Sequence, residues 1–172
     1  MADSGTTDKD LGYKQILREV GKARSSYVDV GYWGGKTHPG DSSATIPYIA
    51  SIHEFGTKPG TTPSIPERSF VRSTADENRS KYQAMLDKGL GQILARKATV
   101  KNVLAMVGEF IIGDIRQKLT KSDPSWPELK DSTKASRQHG GTQPLFDTGA
   151  LARSGGTRVI INGAKVAEKG AN

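Results

Sequence analysis

The chain has 172 residues, enough for one ordinary domain with a single modest core. It contains no cysteine, which excludes disulfides and cysteine-ligated zinc or iron–sulfur sites. Its net charge of +7 is spread among acidic residues, as in Asp76-Glu77-Asn78-Arg79-Ser80-Lys81, without a dense basic run carrying interleaved aromatics.

Residues 1–10 are polar and acidic and read as a disordered tail, without the basic and apolar regions of a secretory signal. Residues 11–24 predict an amphipathic helix through Leu11, Ile16, Leu17 and Val20. From Tyr27 to Trp33 the alternation is that of a strand, and residues 34–43 are rich enough in glycine and proline to read as a loop. A short helix runs from about Ile46 to Glu54, with Pro47 in its first turn and Gly56 past its end. Residues 57–69 form a second proline-rich loop.

Helical spacing returns over 74–97 through Tyr82, Met85, Leu86, Ile93 and Leu94, then breaks at Ala98-Thr99, with Thr99 an N-cap. Residues 100–120 are the strongest helix. Their stripe of Val100, Leu104, Val107, Ile111, Ile115 and Leu119 is widened by Val103, Phe110 and Ile112, so this helix is expected at the core. Asp123-Pro124 ends it. A short helix near 129–137, a glycine-rich loop at 138–142 and a second strand over 157–161 follow, closing at the turn dipeptide Asn162-Gly163. The expected class is α+β: a small antiparallel sheet packed against two or three helices with long loops, over a single domain at 11–162, with 163–172 a flexible tail. No apolar run approaches the ~18 residues that a membrane helix needs.

Catalytic motifs fail on inspection. Gly35-Lys36-Thr37 follows a strand as a phosphate loop does, but Val30 stands where the first glycine is required and His38-Pro39-Gly40 blocks the helix that must follow. His53-Glu54 begins like a zinc-protease helix, yet Thr57 replaces the second histidine and Gly56 ends the helix. There is no Gly-x-Ser-x-Gly elbow. No catalytic, cofactor-binding or metal-binding residue is expected, and the chain reads as a non-enzyme.

Two blocks are distinctive. The first is Ile46-Pro47-Tyr48-Ile49-Ala50-Ser51-Ile52-His53-Glu54-Phe55-Gly56-Thr57, a loop, then Ile65-Pro66-Glu67-Arg68-Ser69-Phe70-Val71-Arg72. The second is Trp126-Pro127-Glu128-Leu129, then Pro144-Leu145-Phe146-Asp147-Thr148-Gly149-Ala150-Leu151-Ala152-Arg153-Ser154. Together, with the strand Val28-Asp29-Val30-Gly31, they resemble the tail-completion and neck proteins of long-tailed bacteriophages, the minor tail protein Z-like and virion-morphogenesis group. The departures are Ser69, where the family commonly has proline, and Gly155-Gly156 ahead of the last strand.

That resemblance implies a structural virion protein, assembled in the host cytoplasm into a homohexameric ring at the head–tail junction. Its partners would be further copies of itself and the adjoining neck, connector and tail proteins, with DNA passing through the channel without sequence-specific binding and no membrane. A tail terminator ring capping the tail tube and a basic DNA-binding protein are the alternatives. Candidate interface or loop-fixing residues are Glu54, Phe55, Gly56, Thr57, Arg68, Phe70, Arg72, Asp147, Thr148 and Gly149. Glu54 is expected to pair with Arg72, or with Arg68, across the loop base, and Phe55 and Phe70 to anchor the core. Asp147-Thr148-Gly149 reads as an N-cap and turn, and Trp33 and Trp126 either as residues that a ring could bury or as half-buried covers of their own core.

Overall fold

The computed structural model describes residues 10–38, 41–137 and 141–170, so the tail expected at 1–10 lies outside the described residues except for Asp10, as does most of the loop expected at 138–142. In chain order the elements are α1 (Tyr13–Ala23), β1 (Ser26–Gly31), β2 (Thr37–His38), β3 (Asp41–Thr45), α2 (Ile46–Phe55), α3 (Arg72–Glu77), α4 (Arg79–Leu94), α5 (Val100–Lys121), α6 (Asp131–Ser136), α7 (Ala150–Ser154), β4 (Gly156–Ile161) and β5 (Ala164–Gly170). The class is α+β.

β4 is the centre of the main sheet, antiparallel to β1 on one side and β5 on the other. Asn162 and Gly163 join β4 to β5 with φ of 51° and 80°, both positive as a type I′ hairpin turn requires. α5 crosses the inner face of this sheet. The approach is close because Gly108 carries no side chain: a Cβ there would lie 2.7 Å from Val28 Cγ2. α4 runs back along α5, and Gly89 plays the same part opposite Val103.

The start of α5 is fixed twice. Thr99 Oγ1 accepts from Asn102 N at 3.2 Å, as its N-cap position predicts, and the carboxylate of Glu19 accepts from Val100 N at 2.9 Å. A carboxylate on the positive end of a 22-residue helix is favourable electrostatically as well. Along its length α5 joins two apolar clusters. One gathers Ile112, Ile115 and Leu119 with Ile46, Phe70, Trp126 and Leu151; the other gathers Val100, Val103 and Val107 with Ile93.

Several expectations need correction. The segment 163–172, expected as a flexible tail, forms β5 through Gly170. Part of the loop expected at 34–43 is the short β2–β3 hairpin. The helix expected over 74–97 breaks at Asn78 into α3 and α4, where Asn78 leaves the helical region with ψ near 10°. In α1 the apolar stripe is largely unburied: Leu17 and Val20, with Leu11 just ahead of the helix, are exposed and Ile16 is half-buried, while the one buried residue is Glu19, held by its cap on α5. Leu104 and Ile111 are only half-buried, because the groove beside α4 opens over that flank of α5, and Phe110 is 50% exposed.

Candidate functional site

The first distinctive block folds into a knot around one carboxylate. Pro47 sits in the first turn of α2, and the helix ends at Gly56, whose φ of 69° suits glycine. A Cβ at Gly56 would also lie 2.9 Å from Glu67 N, so the returning chain passes directly against it. Glu54, in the last turn, is 5% exposed. Its Oε2 accepts from Phe70 N at 2.8 Å and Val71 N at 2.9 Å; its Oε1 accepts from Ser69 Oγ at 2.8 Å and from Arg72 N and Nε, each at 3.0 Å.

Glu54 thus does for α3 what an N-cap side chain does, but from 16 to 18 residues away. Burial alone would raise its pKa. The N–H groups of Val71, Arg72 and Phe70 and the Ser69 hydroxyl outweigh that and hold the carboxyl below its ordinary value.

Arg72 closes the knot from outside. Its Nη2 donates to Glu54 O at 3.0 Å and to Glu67 Oε1 at 2.7 Å, and its guanidinium lies 4.5 Å above the Phe55 ring. The expected Glu54–Arg72 pair is therefore present, whereas Arg68 does not touch Glu54. Phe70 is fully buried in the core, but Phe55, expected there too, is 61% exposed beneath Arg72. Thr57 pins the loop that follows: its N–H donates to Ile65 O and its hydroxyl oxygen accepts from Ile65 N, both at 2.9 Å.

Arg68 instead ties the two sequence blocks together. It donates through Nε and Nη2 to Pro127 O at 2.9 and 2.7 Å, and through Nη2 to Glu128 O at 3.1 Å. Beside it, Trp126 Nε1 donates to Ser69 O at 3.1 Å. Trp126 is buried in the chain's own core, so of the two readings it follows the one in which the ring is not needed to cover it. Trp33 is half-buried, with Arg158 stacked 4.1 Å over its ring and Glu168 accepting from its Nε1 at 2.7 Å.

The Asp147-Thr148-Gly149 turn opens α7, but the N-cap is Gly149, left-handed at φ 71° and without a side-chain cap bond, while Thr148 Oγ1 ahead of it accepts from Ala150 N at 3.2 Å. Asp147 faces a cavity of about 270 Å³ that also collects His53, Arg68, Arg137 and Thr148. Sequence reasoning did not foresee His53 or Arg137 there. His53, in α2, is far from Asp147 in sequence and reaches it only through the meeting of the two blocks, whereas Arg137, just past α6, is held beside it by its bond to Phe146 O. Burial first, then the charges of Arg68 and Arg137, push the His53 pKa down to about 4, so its ring is neutral at pH 7.

Among the described residues no cluster of three His, Asp or Glu could hold a metal ion, and no helix is long and apolar enough to cross a membrane. No family model, curated protein or solved structure matches the chain.

Proposed function

We propose that this chain is a structural subunit of the neck of a long-tailed bacteriophage, a non-catalytic protein that closes into a ring at the head–tail junction and completes the tail or joins it to the head. The observation that carries this reading is the meeting of the two sequence blocks on which the resemblance rests. Arg68 of the first block holds the carbonyls of Pro127 and Glu128 in the second, and Trp126 holds Ser69 in return. Those residues form one folded unit, so their joint occurrence in the sequence has a single structural reason.

The surface supports assembly. A closed ring joins two different patches of the same chain. One exposed apolar patch is the α1 stripe of Tyr13, Leu17 and Val20; another is the groove walled by Tyr27 and by Leu86 and Leu90 of α4, floored by α5. Isolated contacts of this size are weak, but repetition around a ring strengthens them through effective concentration. Under this reading the +7 charge lines or borders a DNA channel without reading sequence.

Deleting the gene from the phage or prophage that carries it tests the proposal. Filled heads and separately made tails that fail to join are expected. Normal infectious virions from a complete deletion would overturn it, and joined particles lacking DNA would place the role in packaging instead.

A further inference from the structure

α1 has the pattern of a helix that docks, and the fold leaves most of that pattern unused. Tyr13, Ile16, Leu17 and Val20 stand at i, i+3, i+4 and i+7, the spacing with which an amphipathic helix enters an apolar groove. Within the chain Ile16 is half-buried, whereas Tyr13 and Leu17 are each more than half exposed. Polar contacts keep α1 in place instead: Glu19 Oε2 accepts from Val100 N at 2.9 Å, and its Oε1 accepts from Lys22 Nζ at 2.7 Å.

A groove of matching character lies between α4, α5 and β1, with a volume of about 470 Å³. Leu86 and Leu90 of α4 and Tyr27 of β1 wall it, and Val103, Leu104 and Val107 of α5 floor it. Along α4 the rise from Leu86 to Ile93 is about 10 Å, equal to the rise from Tyr13 to Val20 on α1. The charges are complementary as well. Among the described residues that line the groove, Asp87 alone is charged. On α1 the one acidic residue, Glu19, is buried, while Lys14 and Arg18 are exposed. Each of these cations follows an apolar anchor by one position, about 100° round the helix, and so runs along the edge of the stripe. The chain's own α1 is not the occupant, because it contributes Ala23 to the groove wall and is fixed there through Glu19.

We propose that the groove of one copy receives α1 of a second copy, with Tyr13, Leu17 and Val20 entering between Leu90 and Tyr27 and Arg18 meeting Asp87 on the rim. A nucleic-acid backbone would meet the cations of α1 but leave its stripe in water. A lipid surface would cover the stripe and leave the groove open. A second copy covers both. Ridge and groove are different patches, so each copy gives its helix to one neighbour and takes that of another, which is the heterologous contact that a closed ring needs. The pairing rests on the reading that copies of this chain assemble, and it names the surfaces through which they do so.

The chain has no cysteine, so introduced thiols report the contact without background. Leu17→Cys and Leu90→Cys, both at exposed positions, are made as separate full-length chains. They are mixed with oxidised glutathione at ~1 mM, which populates a contact whose dissociation constant is of that size. A disulfide between positions 17 and 90 needs Cβ atoms about 4 Å apart, and it should form roughly tenfold faster than either like-with-like pair. Arg18→Glu added to the first chain should slow it roughly threefold, and Asp87→Arg added to the second should restore it.

Equal rates for the three pairs, or a rate that Arg18→Glu leaves unchanged, would overturn the proposal. So would binding to phosphatidylglycerol vesicles or to a short duplex that Leu17→Glu abolishes, if the 17–90 pair then forms no faster than the like-with-like pairs. The neck reading fails separately. A fast 17–90 crosslink beside normal virions from the gene deletion keeps this contact and removes the neck, and a failed crosslink beside unjoined heads and tails does the reverse.

Discussion

Replacing Glu54 with alanine removes the acceptor for five hydrogen bonds at once, three of them from backbone N–H groups at the start of α3. A buried donor that loses its partner costs about 1–3 kcal/mol. The Phe70 N–H lies in the core and bears the full penalty, whereas Val71, Arg72 and Ser69 are partly accessible and recover some of it from water. The expected loss is therefore roughly 3–5 kcal/mol, a large share of the 5–15 kcal/mol that holds an ordinary domain together. Urea unfolding followed by circular dichroism should show the midpoint lowered by roughly 2 M at a slope of about 2 kcal/mol/M, with the slope unchanged. Glu54→Gln keeps one acceptor oxygen but turns an NH2 group toward the donors, so about half the loss is expected. An alanine variant within ~1 kcal/mol of the parent, or a glutamine variant indistinguishable from it, would refute the knot as a stabilising element.

Three other outcomes follow from the same geometry. Leu119→Ala or Ile112→Ala, at fully buried positions, should cost roughly 2–5 kcal/mol, and Leu104→Ala, at the groove, clearly less; equal losses by urea unfolding would mean that the inner face of α5 is misassigned. Acidification should destabilise the protein between pH 6.5 and 4, because the unfolded chain takes up a proton on His53 that the folded chain refuses; the effect approaches about 3 kcal/mol by pH 4 and should largely vanish in His53→Gln. Below pH 4.5 the depressed Glu54 pKa adds to it, since stability supplied by that carboxylate is lost as it protonates. Finally, ATP with magnesium, or zinc, should leave the melting temperature unchanged within error, and a rise of several degrees with either would reopen the enzyme reading.

Much of the fold was legible because local chemistry and tertiary packing agree. Thr99 and Asp123-Pro124 bracket α5 in sequence, and α5 starts and stops there. Gly56 marks the end of α2 through a backbone conformation that suits glycine. β5 was missed for a physical reason: apart from Val166, itself 39% exposed, its side chains are small or charged, and the strand is stabilised by its backbone pairing to β4 and by contacts such as Arg158–Glu168 at 3.0 Å. The Asn162-Gly163 turn was its one local signal. In α1 the periodicity was read correctly and its meaning wrongly, because the helix is held by Glu19 at the start of α5 while its apolar stripe, apart from the half-buried Ile16, faces outward.

The candidate site divides in the same way. Glu54 and Arg72 flank a loop that folds back, so their pairing could be inferred from spacing. Arg68 lies four residues before Arg72, yet it points to the second block, and nothing local announces that its partners are the carbonyls of Pro127 and Glu128. His53 joins Asp147 only through that long-range contact, and Arg137 through its bond to the Phe146 carbonyl, which no local motif announces, so the cavity has no signature in the sequence.

The assembly claim is tested most directly by cryo-electron microscopy of the particle, with this chain traced in the density. The neck reading predicts copies closed into a ring at the head–tail junction, most simply six, with the α1 stripe or the α4–α5 groove covered by a neighbouring copy. Density for the chain in the capsid shell or a tail fibre, or its absence from mature particles, would contradict it.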